Sequence, residues 1–428
     1  MMNFTTPSKL SAIAVLTALF VSGSAAAQAT TYDVISRKDA GPEPTAYQKT
    51  KAATANGAVN ENVVTYTERV FNQDTWMLKR GVVQPVGEAE FSAWEMLSDE
   101  GGMDYEQAAP NPLSYMTAGI ASSLLTQLNR AALVMDLDIK EIKVETKVTF
   151  HWADAMTSKW SGYTDKVTAN ILIDSDEPAE KVAELKAMAY KSWAIGSGLA
   201  NKVKVDSEAV VENQELHWKD HGAHQGKVSG PVSEDNGLTL STKSSPIEPQ
   251  TLEVGKDVST PEIIQARPFA IIAIAESAND TQRPFMNKIK VRAVQDNYAT
   301  WDLYADDSRG YAGTDKAPTS RDYFTLGTSF CLMSQLSAND EMYFKKQGVK
   351  LDDYRVSHQF NYQETGFMTP EMTGSMGTII TKGIVKSEEE KQTLVDFFYQ
   401  SLRCCFAGES LVNETEMESN IYLNGKAI

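Results

Sequence analysis

Cysteine is scarce in this chain, with three residues in 428, and that count excludes a small disulfide scaffold. Histidine is nearly as rare, at five. No phosphate-cradling glycine loop, Gly-x-Ser-x-Gly elbow or zincin pair of histidines occurs, so the usual sequence signatures of nucleotide, serine-esterase and zinc-protease chemistry are missing. Basic charge is in deficit: 40 Lys and Arg against 57 Asp and Glu leave a net −17. Phosphate recognition rests on Lys and Arg, so neither nucleic acid nor an anionic membrane surface is an expected partner. Long apolar runs are also absent after the N-terminus; Phe269 to Ala275 has the length of a buried strand, not of a membrane span.

What is present begins with residues 1–29, which read as a secretory signal. Lys9 gives a positive start, Leu10 to Val21 an apolar stretch too short to span a bilayer, and Ala25-Ala26-Ala27 or Ala27-Gln28-Ala29 a small-residue cleavage site. The expectation is an exported protein, periplasmic or secreted, with no membrane span in the mature chain. Residues 30–61, rich in Ala, Thr, Gly and Asn, read as a loose lead-in. The remainder divides into 62–213 and 266–428, joined by a polar linker over 214–265 that Gly226, Gly230, Pro231, Pro246 and Pro249 punctuate.

The two divisions resemble each other. Residues 110–128 lie on 318–336 without a gap and with 7 identities, among them Tyr115 with Tyr323, Gly119 with Gly327 and Gln127 with Gln335. Ordinary residue usage gives roughly one or two. Ser123 falls opposite Cys331 in this alignment. Further on, residues 193–201 lie on 405–413, which puts Trp193 opposite Cys405.

Hydrophobic patterning gives the same order of elements twice. In the first division, strands over 63–71 and 89–97 precede a helix over 113–133, strands over 142–150 and 167–173, a helix over 179–199 and a closing strand over 203–211. Pro178 suits the first turn of the second helix. In the second division, strands over 270–275, 288–294 and 300–305 precede a helix over 322–345. Strands over 354–362 and 377–384 then lead to a helix opened by the capping-box pattern Ser387-Glu-Glu-Glu390 and to a strand over 416–422. Runs of strands around two helices predict an α+β fold with antiparallel pairing.

Leu394, Phe398, Leu402 and Cys405 recur at helical spacing, as do Phe324, Gly327 or Thr328, Cys331 and Gln335. Two helices facing each other along these stripes would bring Cys331 near Cys405, with Gly327 allowing close approach. Cys404 points about 100° away from Cys405 on a helix and is left over; a strained vicinal Cys404–Cys405 bridge is the other pairing. Both cysteines can equally be read as small buried hydrophobes.

The spacing from Gly327-Thr-Ser-Phe-Cys331 to Cys405-Phe-Ala-Gly408-Glu-Ser-Leu411, 74 residues between the thiols, resembles the OsmC/Ohr family of osmotically inducible and organic hydroperoxide resistance proteins. That family has Pro after the second cysteine and Ser two residues later, where this chain has Phe406 and Gly408. The resemblance covers most of 285–428 and, more weakly and without thiols, 85–213. It implies two OsmC-like modules packed as an intrachain pseudo-dimer, with strands wrapped around central helices. It implies a thiol peroxidase without a cofactor, in which Cys331 is oxidised by a small organic peroxide, Cys405 resolves the sulfenic acid and a dithiol reductant restores both. It implies also an Arg held by an acid beside the thiolate, by position Arg309 with Asp322, Arg321 being the rival cation. Gly102 stands opposite Arg309, so the first copy lacks that cation. In an oxidising compartment without a dithiol donor, the same pair would rest as a structural disulfide worth roughly 2–4 kcal/mol, in a non-catalytic protein that binds a small ligand or another protein.

His217, Asp220, His221 and His224 form the remaining cluster. Its i, i+4 spacing suits Zn²⁺ or Cu²⁺ on a helix, whereas Gly222 and its surroundings suit a solvated loop; no metal is assigned. His151 and His358 fall on strands, as core-edge residues.

Overall fold

Two helices of this chain are buried on nearly every face, which makes them the centre about which the sheets are arranged. The computed structural model describes residues 34–38, 59–70, 77–86, 92–100, 107–155, 157–211, 241–244, 269–278, 285–295, 298–307 and 311–428. The signal-like segment, Gly102, His217, His221, His224 and Arg309 lie outside the described residues.

The first half runs β1 (Ile35–Lys38), β2 (Val59–Arg69), β3 (Lys79–Val86), β4 (Ala93–Ser98), α1 (Pro112–Val134), β5 (Ile139–Ala153), β6 (Ser161–Ser175), α2 (Ala179–Ser192), α3 (Ala194–Ala200) and β7 (Val205–Val211). The second runs β8 (Ser241–Ser244), β9 (Phe269–Ser277), β10 (Asn287–Ala293), β11 (Thr300–Ala305), α4 (Ser320–Asn339), β12 (Asp353–Thr365), β13 (Thr373–Met376), β14 (Ile379–Lys386), α5 (Lys391–Cys404), α6 (Phe406–Val412), β15 (Glu416–Leu423) and β16 (Lys426–Ala427). Apart from β13 and β16, the order of the first half recurs element for element in the second.

Neither half keeps a sheet of its own. One sheet runs β1-β4-β3-β2-β12-β14-β7, with β13 beside β12; the other runs β16-β15-β6-β5-β9-β10-β11-β8. Each therefore joins four opening strands of one half to the two middle strands of the other. The seams are antiparallel at β2–β12, where Thr65 faces His358, and at β9–β5, where Ala275 faces Val144. The closing strand then returns to the sheet of its own half's opening strands and pairs parallel with a middle strand of the other half, β7 on β14 and β15 on β6. These two parallel seams depart from the expected all-antiparallel pairing. One core, holding Trp94, Tyr115, Phe150, Phe330, Cys331 and Phe406 together, spans both halves.

The central helices α1 and α4 start in the same way. Asn111 caps α1 by accepting the Ser114 N–H at 2.7 Å, and Thr319 caps α4 by accepting the Asp322 N–H at 3.1 Å. They cross antiparallel through the matched glycines. A Cβ on Gly119 would lie 2.6 Å from Phe324 N, and one on Gly327 would lie 2.5 Å from Met116 N, so at both positions only glycine lets the facing backbone come this close. The Gly327 approach expected from sequence is thus made by α1.

Several local expectations shift. A strand sits within the stretch read as linker (β8) and another within the lead-in (β1). β3 was invisible to apolar patterning because its buried positions include Lys79 and Arg80. Arg80 is held across the sheet by Glu95 and by Glu68 at 3.1 Å. The helix expected to run on to Lys345 ends at Asn339, followed by a π turn over Asp340–Phe344 and a 3₁₀ turn over Lys345–Gln347. Ser387 does not cap the last helix: α5 starts at Lys391, while Ser387 Oγ donates to Lys350 O and accepts from Glu389 N–H at 3.1 Å. The two long second helices each break once, at Trp193 (φ −85°, ψ 90°) and at Cys405 (φ −80°, ψ 104°). Both breaks abut a glycine on a strand of the opposite half. A Cβ on Gly374 would lie 2.1 Å from Ser192 O, and one on Gly162 would lie 2.4 Å from Cys404 O.

Candidate functional site

The break at Cys405 assembles the site. Had α5 continued, Cys405 would lie on a helical stripe with Leu402. Its extended backbone instead ends one helix and caps the next. There its thiol comes close enough to that of Cys331 to hold the Cys331 proton more tightly. The first turn of α6 supplies a donor: Gly408 N–H donates to Cys405 Sγ at 3.3 Å, and the Ala407 N–H lies near enough to Cys331 to favour its thiolate. Both cysteines are buried and free, with exposures of 2 % and 1 %.

Cys404 is held apart. It is fully buried against Trp160 and Ala338, and its Sγ donates to Trp160 O at 3.2 Å. Burial raises this thiol to about 11, with Asn339 and Arg403 pulling the other way.

The first half builds most of the walls. Phe406 fits among Phe150, Trp152 and Phe269, with ring centroids 5.2–5.7 Å away. Thr164 Oγ1 donates to Phe406 O at 2.8 Å, and Thr164 N–H donates to Glu409 Oε2 at 2.7 Å. The thiol-bearing turn is therefore pinned by β5 and β6.

Burial pushes the Cys331 thiol well above its ordinary range; Cys405 and Glu100 push the same way, and the Ala407 N–H opposes them. In this packed state the thiol is protonated at neutral pH. The acidic and basic side chains paired at this end are Glu100 and Lys79. Lys79 is completely buried and reaches Glu100 at 3.3 Å, and Ser334, one turn beyond Cys331, also donates to Glu100. Sequence reasoning missed both residues, since β3 carries no apolar alternation and Glu100 follows β4 in an acidic stretch.

The expected supporting acid lies elsewhere. Asp322 sits nine residues before Cys331 on α4, about 14 Å along the helix. Its Oδ2 accepts the Thr319 N–H at 2.7 Å in a capping box, and burial lifts its carboxyl to about 8. Arg321 pairs with Glu61 at 2.9 Å and with Glu364. The cause is the antiparallel crossing: the start of each central helix meets the far part of its neighbour. Residues before α4 therefore serve Ser123, and residues before α1, Glu100 among them, serve Cys331. Asp322 is corrected from thiol-supporting acid to helix cap, and Arg321 is not the thiol's cation.

At the matched place in the first half, Trp193 Nε1 donates to Ser123 Oγ at 2.7 Å. His358 is buried, with neither ring nitrogen hydrogen-bonded, and burial lowers it to about 3. His151 Nδ1 lies 2.6 Å from Asp165 Oδ1 on the sheet surface. Among the described residues no group of three or more His, Cys, Asp or Glu is placed to hold a metal, and no helix is long and apolar enough to cross a membrane.

No protein-family model matches this chain, and no curated protein matches it. Among solved structures, the crystal structure of an OsmC-like hydroperoxide resistance protein from Jannaschia sp. CCS1 is similar at 17 % identity and a TM-score of 0.24, over 33 % of this chain and 88 % of that one.

Proposed function

We propose that this chain is an exported, duplicated OsmC-like protein whose halves form an intrachain pseudo-dimer, and that its second half reduces organic hydroperoxides through Cys331 and Cys405. One observation carries this reading: two thiols 74 residues apart in sequence lie in one core, close enough for Cys405 to shift the ionisation of Cys331. The resemblance of the flanking motifs and the exchange of strands between halves support it.

The chemistry follows from the contact. Cys331 loses its proton and attacks the terminal oxygen of the hydroperoxide; the S–O bond forms as the O–O bond breaks, and the alkoxide takes up a proton and leaves as an alcohol. Sulfur is oxidised to sulfenic acid. Cys405 then attacks that sulfur, water leaves, and a disulfide forms. A dithiol of the exported compartment reduces it. Because both thiols are buried and Cys331 is protonated, the α5–α6 junction must open to admit peroxide and let the proton go.

The test is consumption of cumene hydroperoxide in the presence of dithiothreitol, with mass spectrometry following Cys331. Turnover that vanishes in Cys331→Ser, with a Cys331–Cys405 bond forming in the native chain, supports the mechanism; turnover that survives Cys331→Ser ends it. A second reading is favoured by the raised, buried Cys331 thiol: a non-catalytic fold in which the pair only packs or forms a structural disulfide. It predicts no turnover and, where the disulfide forms, a lower melting temperature after reduction.

A further inference from the structure

The turn that carries Cys405 is covered by the far end of the β5–β6 hairpin, and a bend separates that end from its sheet. Up to Thr149 on β5 and from Lys166 on β6, the two strands pair with each other and with the sheet on either side, β9 next to β5 and β15 next to β6. There the register slips: Thr149 faces Lys166, but Phe150 faces Thr164, which leaves Asp165 as a bulge. Phe150 is the last residue of β5 to pair with β9. Beyond it, among the described residues, 151–153 and 161–164 pair only across the hairpin. A bulge is where a strand bends, and a two-stranded ribbon has little stability of its own.

This ribbon lies against the end of α5 and the start of α6. Arg403 Nε donates to Trp160 O at 3.2 Å, and its Nη2 donates to Ser158 O at 2.5 Å. Gln400 Nε2 donates to Thr157 O at 3.4 Å. At the base, Thr164 holds Phe406 and Glu409. The apolar anchor is Trp160, 3 % exposed and packed on Cys404 and Ala338. The contacts are unequal. Those of Gln400 and of Arg403 Nη2 lie at the surface, where water competes for them. The buried indole N–H groups of Trp152 and Trp160 have no acceptor among the described residues, so opening gives both donors back to water.

We infer that the hairpin beyond Asp165 is a lid: it lifts as a unit about the bulge and uncovers the turn of Cys404, Cys405 and Phe406, while α6 stays wound. The device is duplicated. The same slip occurs between the pairs Gln359–Ile380 and Tyr362–Met376, and Gly374 beyond it abuts the break at Trp193. Only one of the two lids covers thiols. Its motion is the opening that the peroxidase reading requires, yet it can be observed without turnover.

The test is hydrogen exchange with mass spectrometry on the full reduced chain, with iodoacetamide alkylation of the thiols in parallel. The laddered amides at 151–153 and 161–164 should exchange about tenfold faster than those at 142–149 and 166–173, and faster than those of α6. Arg403→Ala removes two bonds to the lid and lies outside α6. It should speed both the exchange of the lid amides and the alkylation of Cys405 by about fivefold. Lid amides as protected as their sheet neighbours overturn the proposal. So does alkylation that follows the α6 amides alone, or that keeps its native rate in Arg403→Ala. Should Arg403→Ala not fold, the exchange pattern of the native chain decides alone. A chain that opens its lid but consumes no hydroperoxide would end the peroxidase reading and leave the lid standing.

Discussion

The two broken helix pairs hold the same backbone in two chemical states. At the first break the indole of Trp193 fills the space and hydrogen-bonds Ser123. At the second, Cys405 takes the indole's place and meets Cys331. The matched glycines record the difference. A Cβ on Gly196 would sit 2.0 Å from the Trp193 ring, whereas one on Gly408 would sit 3.4 Å from Cys405 Sγ. The first half thus spends its break on packing. The second leaves it to two small polarisable groups, with the Gly408 N–H at Cys405 and Phe406 in its aromatic cage. One fold can hold a packed indole or a pair of thiols at the same break when the exchange is confined to a few side chains.

The comparison can be broken by mutation. Cys405→Ser should have the largest effect: turnover is lost and peroxide consumption stops after one equivalent, with Cys331 left as sulfenic acid in the mass spectrum. The chain should still fold, since serine is a good helix cap at this position. Sustained turnover in this variant would show that Cys405 does not resolve. Next comes Trp193→Ala, expected to destabilise by about 3–5 kcal/mol as a buried aromatic truncated to a cavity, measurable by urea unfolding. Gly196→Ala should cost about 1–3 kcal/mol through overpacking, while Gly408→Ala should stay within about 0.5 kcal/mol; equal costs would mean that the two breaks are packed alike.

The last comparison is between the helix caps. Asp322, at the position of Ser114, has its carboxyl raised from 3.8 to about 8 by burial. Between about pH 4 and 8 the folded chain keeps a proton that the unfolded chain has released, so stability falls as pH rises through that window and levels off above it. The slope is at most about 1.4 kcal/mol per pH unit. Asp322→Ser, which copies the cap region of α1, should flatten this part of the stability–pH curve; an unchanged slope would assign it to other groups.

Much of the secondary structure was legible because it is local. The central helices were expected at 113–133 and 322–345, and the paired strands around them were found by alternation. β3 was not, because Lys79 and Arg80 are buried by partners on β2, on β4 and just after it, which no local window contains. The breaks at Trp193 and Cys405 were also hidden: the residues there are compatible with helix, and the glycines that abut them, Gly374 and Gly162, come from the other half. Cys331 and Cys405 could be brought together as candidates by spacing. Asp322 follows from the motif position of the resemblance alone, and that position lies about 14 Å along α4 from Cys331.

Residue order alone determined the two-fold recurrence of elements, the caps of α1 and α4 and the restriction of the matched thiol pair to one half, since each depends on residues a few positions apart or on matched positions. Only the tertiary structure decided which half surrounds which site. Strands cross between sheets and the central helices run antiparallel, so the wall of each pocket comes from the far half of the chain, through contacts whose energy no local pattern encodes.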